Sequence, residues 1–163
     1  MTSTQDSVEN IPVFDFMTRN VITIPENRTM KQASKLMYED NIGSIVILKE
    51  AGQIPIGIVT ERDIARTVGF AAEHSIFGDI PLSEIMGKPL ITVQPSTSLK
   101  DAVVLMQQKD IRRLPVLDEN GQLVGIITDK DIITAVVKTF KKTVKDHGLM
   151  SDGFDLLGFL GTE

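Results

Sequence analysis

Two short phrases in the chain hold residue types that could do chemistry, and they are near copies. One is Gly57-Ile58-Val59-Thr60-Glu61-Arg62-Asp63, the other Gly125-Ile126-Ile127-Thr128-Asp129-Lys130-Asp131. Each sets a hydroxyl and a carboxylate three residues apart, after an apolar run and with a basic residue between them. An ionised carboxylate accepts two hydrogen bonds from a vicinal diol, and such charge-assisted bonds are strong. A helix starting just after the threonine also offers backbone N–H groups and a favourable dipole to a phosphate. The same residues have a plainer use: Thr60 and Thr128 as helix caps, Asp63 and Asp131 as first-turn carboxylates. Nothing beside them suggests catalysis. His74 and His147 are single and far apart, and the chain has no cysteine. No catalytic residue and no metal set is assigned, and an enzyme is not expected.

Each phrase needs a strand that stops at the threonine and a helix that follows it. Gly57-Ile58-Val59 and Gly125-Ile126-Ile127 suit a buried strand, and Ile64-Ala65 and Ile132-Ile133 resume the apolar pattern. Upstream, Ser44-Ile45-Val46-Ile47-Leu48 and Arg113-Leu114-Pro115-Val116-Leu117 predict another strand in each copy. Thr29 and Ser98 predict caps for helices carrying Met30, Ala33 and Met37, and Leu99, Ala102, Val103 and Met106. Val21-Ile22-Thr23-Ile24 and Leu90-Ile91-Thr92-Val93 predict a short opening strand, and Met86 answers Met17. The order strand, helix, strand, strand, helix therefore occurs twice.

A unit of about 55 residues buries too little apolar surface to stand comfortably alone. The expected fold is α/β (α+β), with two β-α-β-β-α repeats packed sheet to sheet in approximate two-fold symmetry. Residues 1–10 form a loose start, 11–68 the first repeat, 69–83 a connector, 84–145 the second repeat and 146–163 a tail. Gly57 and Gly125 are expected to permit close packing.

Composition narrows the classes. Seventeen basic against twenty-two acidic residues give a net charge of −5, the reverse of a general nucleic-acid binder. Only 5% of residues are aromatic, so platforms for stacking bases are scarce. No apolar run approaches the roughly 18 residues of a membrane span, and the first residues do not form a signal peptide. A cytoplasmic protein without a membrane or nucleic-acid role is expected. Lys138, Lys141, Lys142 and Lys145 on the last helix are read as a solvated stripe, with salt-sensitive nucleic-acid binding as the less favoured alternative.

The repeated Gly-apolar-apolar-Thr-x-x-Asp phrase, the segment Ile111-Arg112-Arg113-Leu114-Pro115-Val116 and the Met-x-x-x-apolar-Ile-Thr-apolar openings resemble the CBS domain. Two such domains in tandem make a CBS pair, or Bateman module, and the resemblance covers roughly residues 11–145. It implies a regulatory module without its own chemistry and without a resident cofactor. Its ligand would contain adenosine, as AMP, ADP, ATP or S-adenosylmethionine, held in the cleft between the repeats.

Carried over by residue, the resemblance gives Asp63 and Asp131 to the ribose hydroxyls and Thr60 and Thr128 to ribose or phosphate. Arg112 and Arg113 match positions of basic phosphate contacts, and Arg62 and Lys130 could add charge. Adenine would lie against Thr23 or Thr92, its edge read by backbone near Ile45-Val46 or Leu114-Pro115. The first copy has Gly43-Ser44 where the second has Arg112-Arg113, so unequal sites are expected. A homodimer through the apolar faces Ile64–Val68 and Ile132–Val136, and an unidentified regulated protein, complete the expectation. The alternative is a structural or interaction scaffold with unused nucleotide sites. The apolar segment 154–160 is compatible with self-packing, a dimer contact or a docking peptide.

Overall fold

The computed structural model describes residues 10–49, 54–71 and 80–146. Residues 50–53, the stretch 72–79 with His74, and everything from His147 onward, including 154–160, lie outside the described residues.

In the first copy β1 (Thr23–Pro25) is followed by α1 (Met30–Glu39), β2 (Ser44–Leu48), β3 (Pro55–Thr60) and α2 (Glu61–Ala71). The helix runs three residues beyond the expected boundary at Val68. β2 is central, parallel to β1 and antiparallel to β3, with Thr23 opposite Val46 and Ser44 opposite Thr60. Thr29 and Gln32 form a reciprocal capping box at the start of α1. Asn41 takes a left-handed φ of 51° just beyond the helix, a conformation that asparagine tolerates. Ala33, Met37, Ile45, Ile47 and Val59 pack with Ile24, Leu82 and Met86 into one core.

The second copy repeats the order with α4 (Leu99–Lys109), β4 (Arg113–Leu117), β5 (Leu123–Thr128) and α5 (Asp129–Asp146), preceded by the short α3 (Leu82–Ile85). Ser98 caps α4, and Asp110 takes the φ of 49° that answers Asn41. The expected strand over Leu90–Val93 does not form. Only a bridge from Val93 to Val116 remains, beside the two-stranded β4-β5 sheet. Two prolines account for this. In the first copy the Val46 N–H donates to the Ile22 carbonyl at 3.3 Å and the Glu26 N–H to the Leu48 carbonyl at 2.9 Å, at the two ends of the β1–β2 pairing. The matching residues are Pro115 and Pro95, which have no N–H to give.

The lead-in to each copy is bound to the other copy, in reciprocal pairs. The Val13 N–H donates to the Thr97 carbonyl at 2.8 Å, and the Leu82 N–H to the Arg28 carbonyl at 3.0 Å. The Thr18 N–H donates to the Ile126 carbonyl and the Gly87 N–H to the Ile58 carbonyl, both at 2.9 Å. A Cβ added at Gly57 would overlap the Met86 sulfur, so close packing is what this glycine permits.

Accordingly the two compact units do not follow the repeats. One comprises the described parts of Met1–Met17, Ser96–Arg113 and Ile127–Glu163, and the other those of Thr18–Pro95 and Leu114–Ile126. The first buries Val13, Leu99, Ala102, Met106, Ile127, Ile132 and Ala135. The second holds the core around β2.

Candidate functional site

Each glycine phrase folds as its spacing predicts, with β3 or β5 ending at the threonine and α2 or α5 beginning on the next residue. Because the aspartate is three residues on, its side chain reaches back over the first helical turn. The Asp63 Oδ2 accepts from the Thr60 N–H at 2.9 Å and from the Thr60 hydroxyl at 2.6 Å, while the Asp63 N–H donates to Thr60 Oγ1 at 3.3 Å. The second copy matches it closely. Asp131 Oδ2 accepts from the Thr128 N–H at 2.9 Å and its hydroxyl at 2.7 Å, and the Asp131 N–H donates to Thr128 Oγ1 at 3.2 Å.

These boxes divide the labour between the two residues. The threonine hydroxyl spends its proton on the carboxylate and accepts from the helix, so its effect is to fix the carboxylate. Every bond to the carboxylate falls on Oδ2, and Oδ1 carries none among the described residues. All four side chains are half-buried. An oriented carboxylate with one oxygen presented at a strand-to-helix turn is an acceptor for hydroxyl or amino donors.

The helix starts themselves are largely occupied, contrary to the open N–H groups expected for a phosphate. The Glu61 N–H donates to the Gly43 carbonyl at 3.2 Å and the Asp129 N–H to the Arg112 carbonyl at 3.0 Å. In the second copy the Lys130 N–H also donates to Asp129 Oδ1 at 2.9 Å. Most of the first backbone N–H groups of α2 and α5 thus already have protein partners.

The side chains beside the lips differ between the copies. Gly43 and Ser44 flank the first lip, and Arg62 is exposed on α2. Arg112, Arg113 and Lys130 flank the second, with Arg112 and Lys130 exposed. Arg112 Nε lies 3.9 Å from Asp129 Oδ2, a partner that the sequence reading missed although the opposite charges were visible.

The expected adenine contacts divide by burial. Thr23 and Thr92 are half-buried; Thr23 faces Val46 in register, and Thr92 adjoins the Val93 bridge. Ile45, Val46, Leu114 and Pro115 have fully buried side chains, leaving only backbone to offer. The Val46 N–H is engaged with Ile22, and the Pro115 carbonyl accepts from the Val93 N–H at 3.1 Å. On the last helix the Lys138 ammonium sits 5.6 Å from the centroid of the Phe16 ring, so one residue of the basic stripe is tied to its own unit. Lys145 has no described side chain. No group of residues suited to a metal ion occurs among the described residues, and no described helix is long and apolar enough to cross a membrane.

Comparison with known proteins decides the family. The model of the CBS domain matches residues 13–69 and again 82–138. The chain belongs to the CBS domain family. It is a tandem CBS pair with the α/β architecture of solved CBS pairs. A CBS domain-containing protein of Bacillus subtilis, YhcV, is 40% identical over 121 residues, covering 74% of this chain and 81% of its own. The crystal structure of a conserved protein from Pyrococcus horikoshii superposes with a TM-score of 0.70 at 30% identity, covering 78% of this chain and 93% of that one. The CBS domain pair of protein MJ0100, solved with 5′-methylthioadenosine and S-adenosyl-L-methionine, has a TM-score of 0.69 at 26% identity. It covers 79% of this chain and 98% of that one.

Proposed function

We propose that this CBS pair is a regulatory module that binds an adenosine-containing ligand at its Thr-x-x-Asp lips and is not itself an enzyme. The ligand is AMP, ADP, ATP or S-adenosylmethionine. The observation that carries the reading is the duplicated box, in which threonine orients an aspartate and leaves its Oδ1 presented. A ribose offers the vicinal diol that such an oxygen accepts. The adenosine ligands of the MJ0100 CBS pair support the same class.

Signalling would follow from population shift, since a ligand favours whichever arrangement binds it better. A second copy of the chain is the proposed first partner. Ile133, Val136 and Phe140 share one face of α5 and remain exposed, as does Val104 on α4. A regulated protein would respond to that dimer.

Titration of AMP, ADP, ATP and S-adenosylmethionine into wild type and Asp131→Ala tests the reading. Binding of at least one ligand, weakened tenfold or more in the variant, is expected from the loss of a charged hydrogen-bond acceptor worth about 1.5–3 kcal/mol. A folded dimer that binds none of them would instead be a scaffold with unused sites.

A further inference from the structure

Arg112 and Asp129 are joined at two levels. The Asp129 N–H donates to the Arg112 carbonyl at 3.0 Å, which fixes their backbones side by side. Their side chains then approach to 3.9 Å, Nε to Oδ2. The other oxygen of the carboxylate, Oδ1, accepts from the Lys130 N–H at 2.9 Å, so the group is held at the start of α5.

The side chains are 72% and 53% exposed, and an ion pair that wet is weak. The first copy has no counterpart, because the Glu61 N–H meets the carbonyl of Gly43, a residue without a side chain. The second lip sets an arginine on the strand side of its helix start, and that arginine already has an anion in Asp129.

We infer that Asp129 is a resident competitor for the phosphate of the ligand. This rests on the adenosine reading of the lips. When a phosphorylated ligand arrives, Arg112 exchanges the Asp129 carboxylate for a phosphate, whose geometry a guanidinium matches in bidentate fashion. The exchange is easy because the exposed pair holds little energy. Afterwards Asp129 remains nearby as a like charge, so it weakens phosphate binding more as the ligand carries more charge. Asp129 is thus a selectivity residue. It sets how far the second lip prefers AMP or ATP over an uncharged adenosine, and it favours a ligand with a cationic sulfonium.

Calorimetric titration of adenosine, AMP and ATP into the full chain and into Asp129→Asn tests this. Asparagine keeps an oxygen for the Lys130 N–H, and Asp129→Ser serves the same purpose should the first variant fail to fold. The ratio of AMP to adenosine affinity should rise roughly two- to fivefold, the size of an exposed ion pair, and the ratio for ATP should rise further. In an Arg112→Gln background the rise should shrink, because the two residues act through each other.

An unchanged ratio overturns the inference, as does a rise of equal size in both backgrounds. In either case adenosine binding would leave the underlying reading intact. Absence of binding by every ligand to wild type removes both.

Discussion

The two copies agree where the fold is concerned and part where a ligand would be. Their Thr-x-x-Asp boxes match within 0.1 Å in every bond: 2.9, 2.6 and 3.3 Å in the first, 2.9, 2.7 and 3.2 Å in the second. Their lead-ins are bound reciprocally, and Asn41 and Asp110 make the same left-handed exit from α1 and α4. Around the boxes the likeness stops. Gly43-Ser44 faces one helix start and Arg112-Arg113 the other, and the Glu26 and Val46 N–H groups complete a three-stranded sheet where Pro95 and Pro115 leave two strands. The two copies share the capped turn that presents the carboxylate and differ in the charge beside it.

The largest effect should come from copying the defect of one repeat into the other. Val46→Pro removes the donor to Ile22 and leaves that carbonyl without its partner, so a loss of about 1–3 kcal/mol is expected in denaturant unfolding. The ring itself fits, since Pro115 occupies the matching position in β4. A loss below a few tenths would mean that the β1–β2 bond at 3.3 Å contributes little. Thr60→Ala and Thr128→Ala probe the likeness instead. Each removes a hydroxyl that both caps a helix and fixes a carboxylate, and each should cost about 1 kcal/mol. Costs differing by more than that amount would show that matched geometry hides unmatched energetics.

Much of this architecture was legible in the chain because its signals are local. Alternating apolar residues gave β3, Thr29 and Ser98 gave the caps, and the repeated glycine phrase gave two strand-to-helix turns. The strand expected at Leu90–Val93 failed through Pro95 after it and Pro115 on its neighbour. Both prolines were visible, but their effect depends on which way the missing N–H groups would have pointed. The reciprocal bonds of the lead-ins, such as Thr18 with Ile126 and Gly87 with Ile58, join residues far apart in sequence and leave no periodic trace.

At the lips, residue types identified the pairs Thr60/Asp63 and Thr128/Asp131, but not the spending of the threonine hydroxyls or the helix N–H groups within them. The Arg112–Asp129 pair was missed for a similar reason. Its members lie seventeen positions apart, and only the return of the chain through β4 and β5 brings them together.

The most direct measurement is calorimetric titration of AMP into wild type, Asp63→Ala and Asp131→Ala, all checked for folding by thermal melts. Unequal binding is expected, with Asp131→Ala removing the tighter component and Asp63→Ala leaving it largely in place. Two identical, independent sites per chain, with equal losses in the two variants, would contradict it.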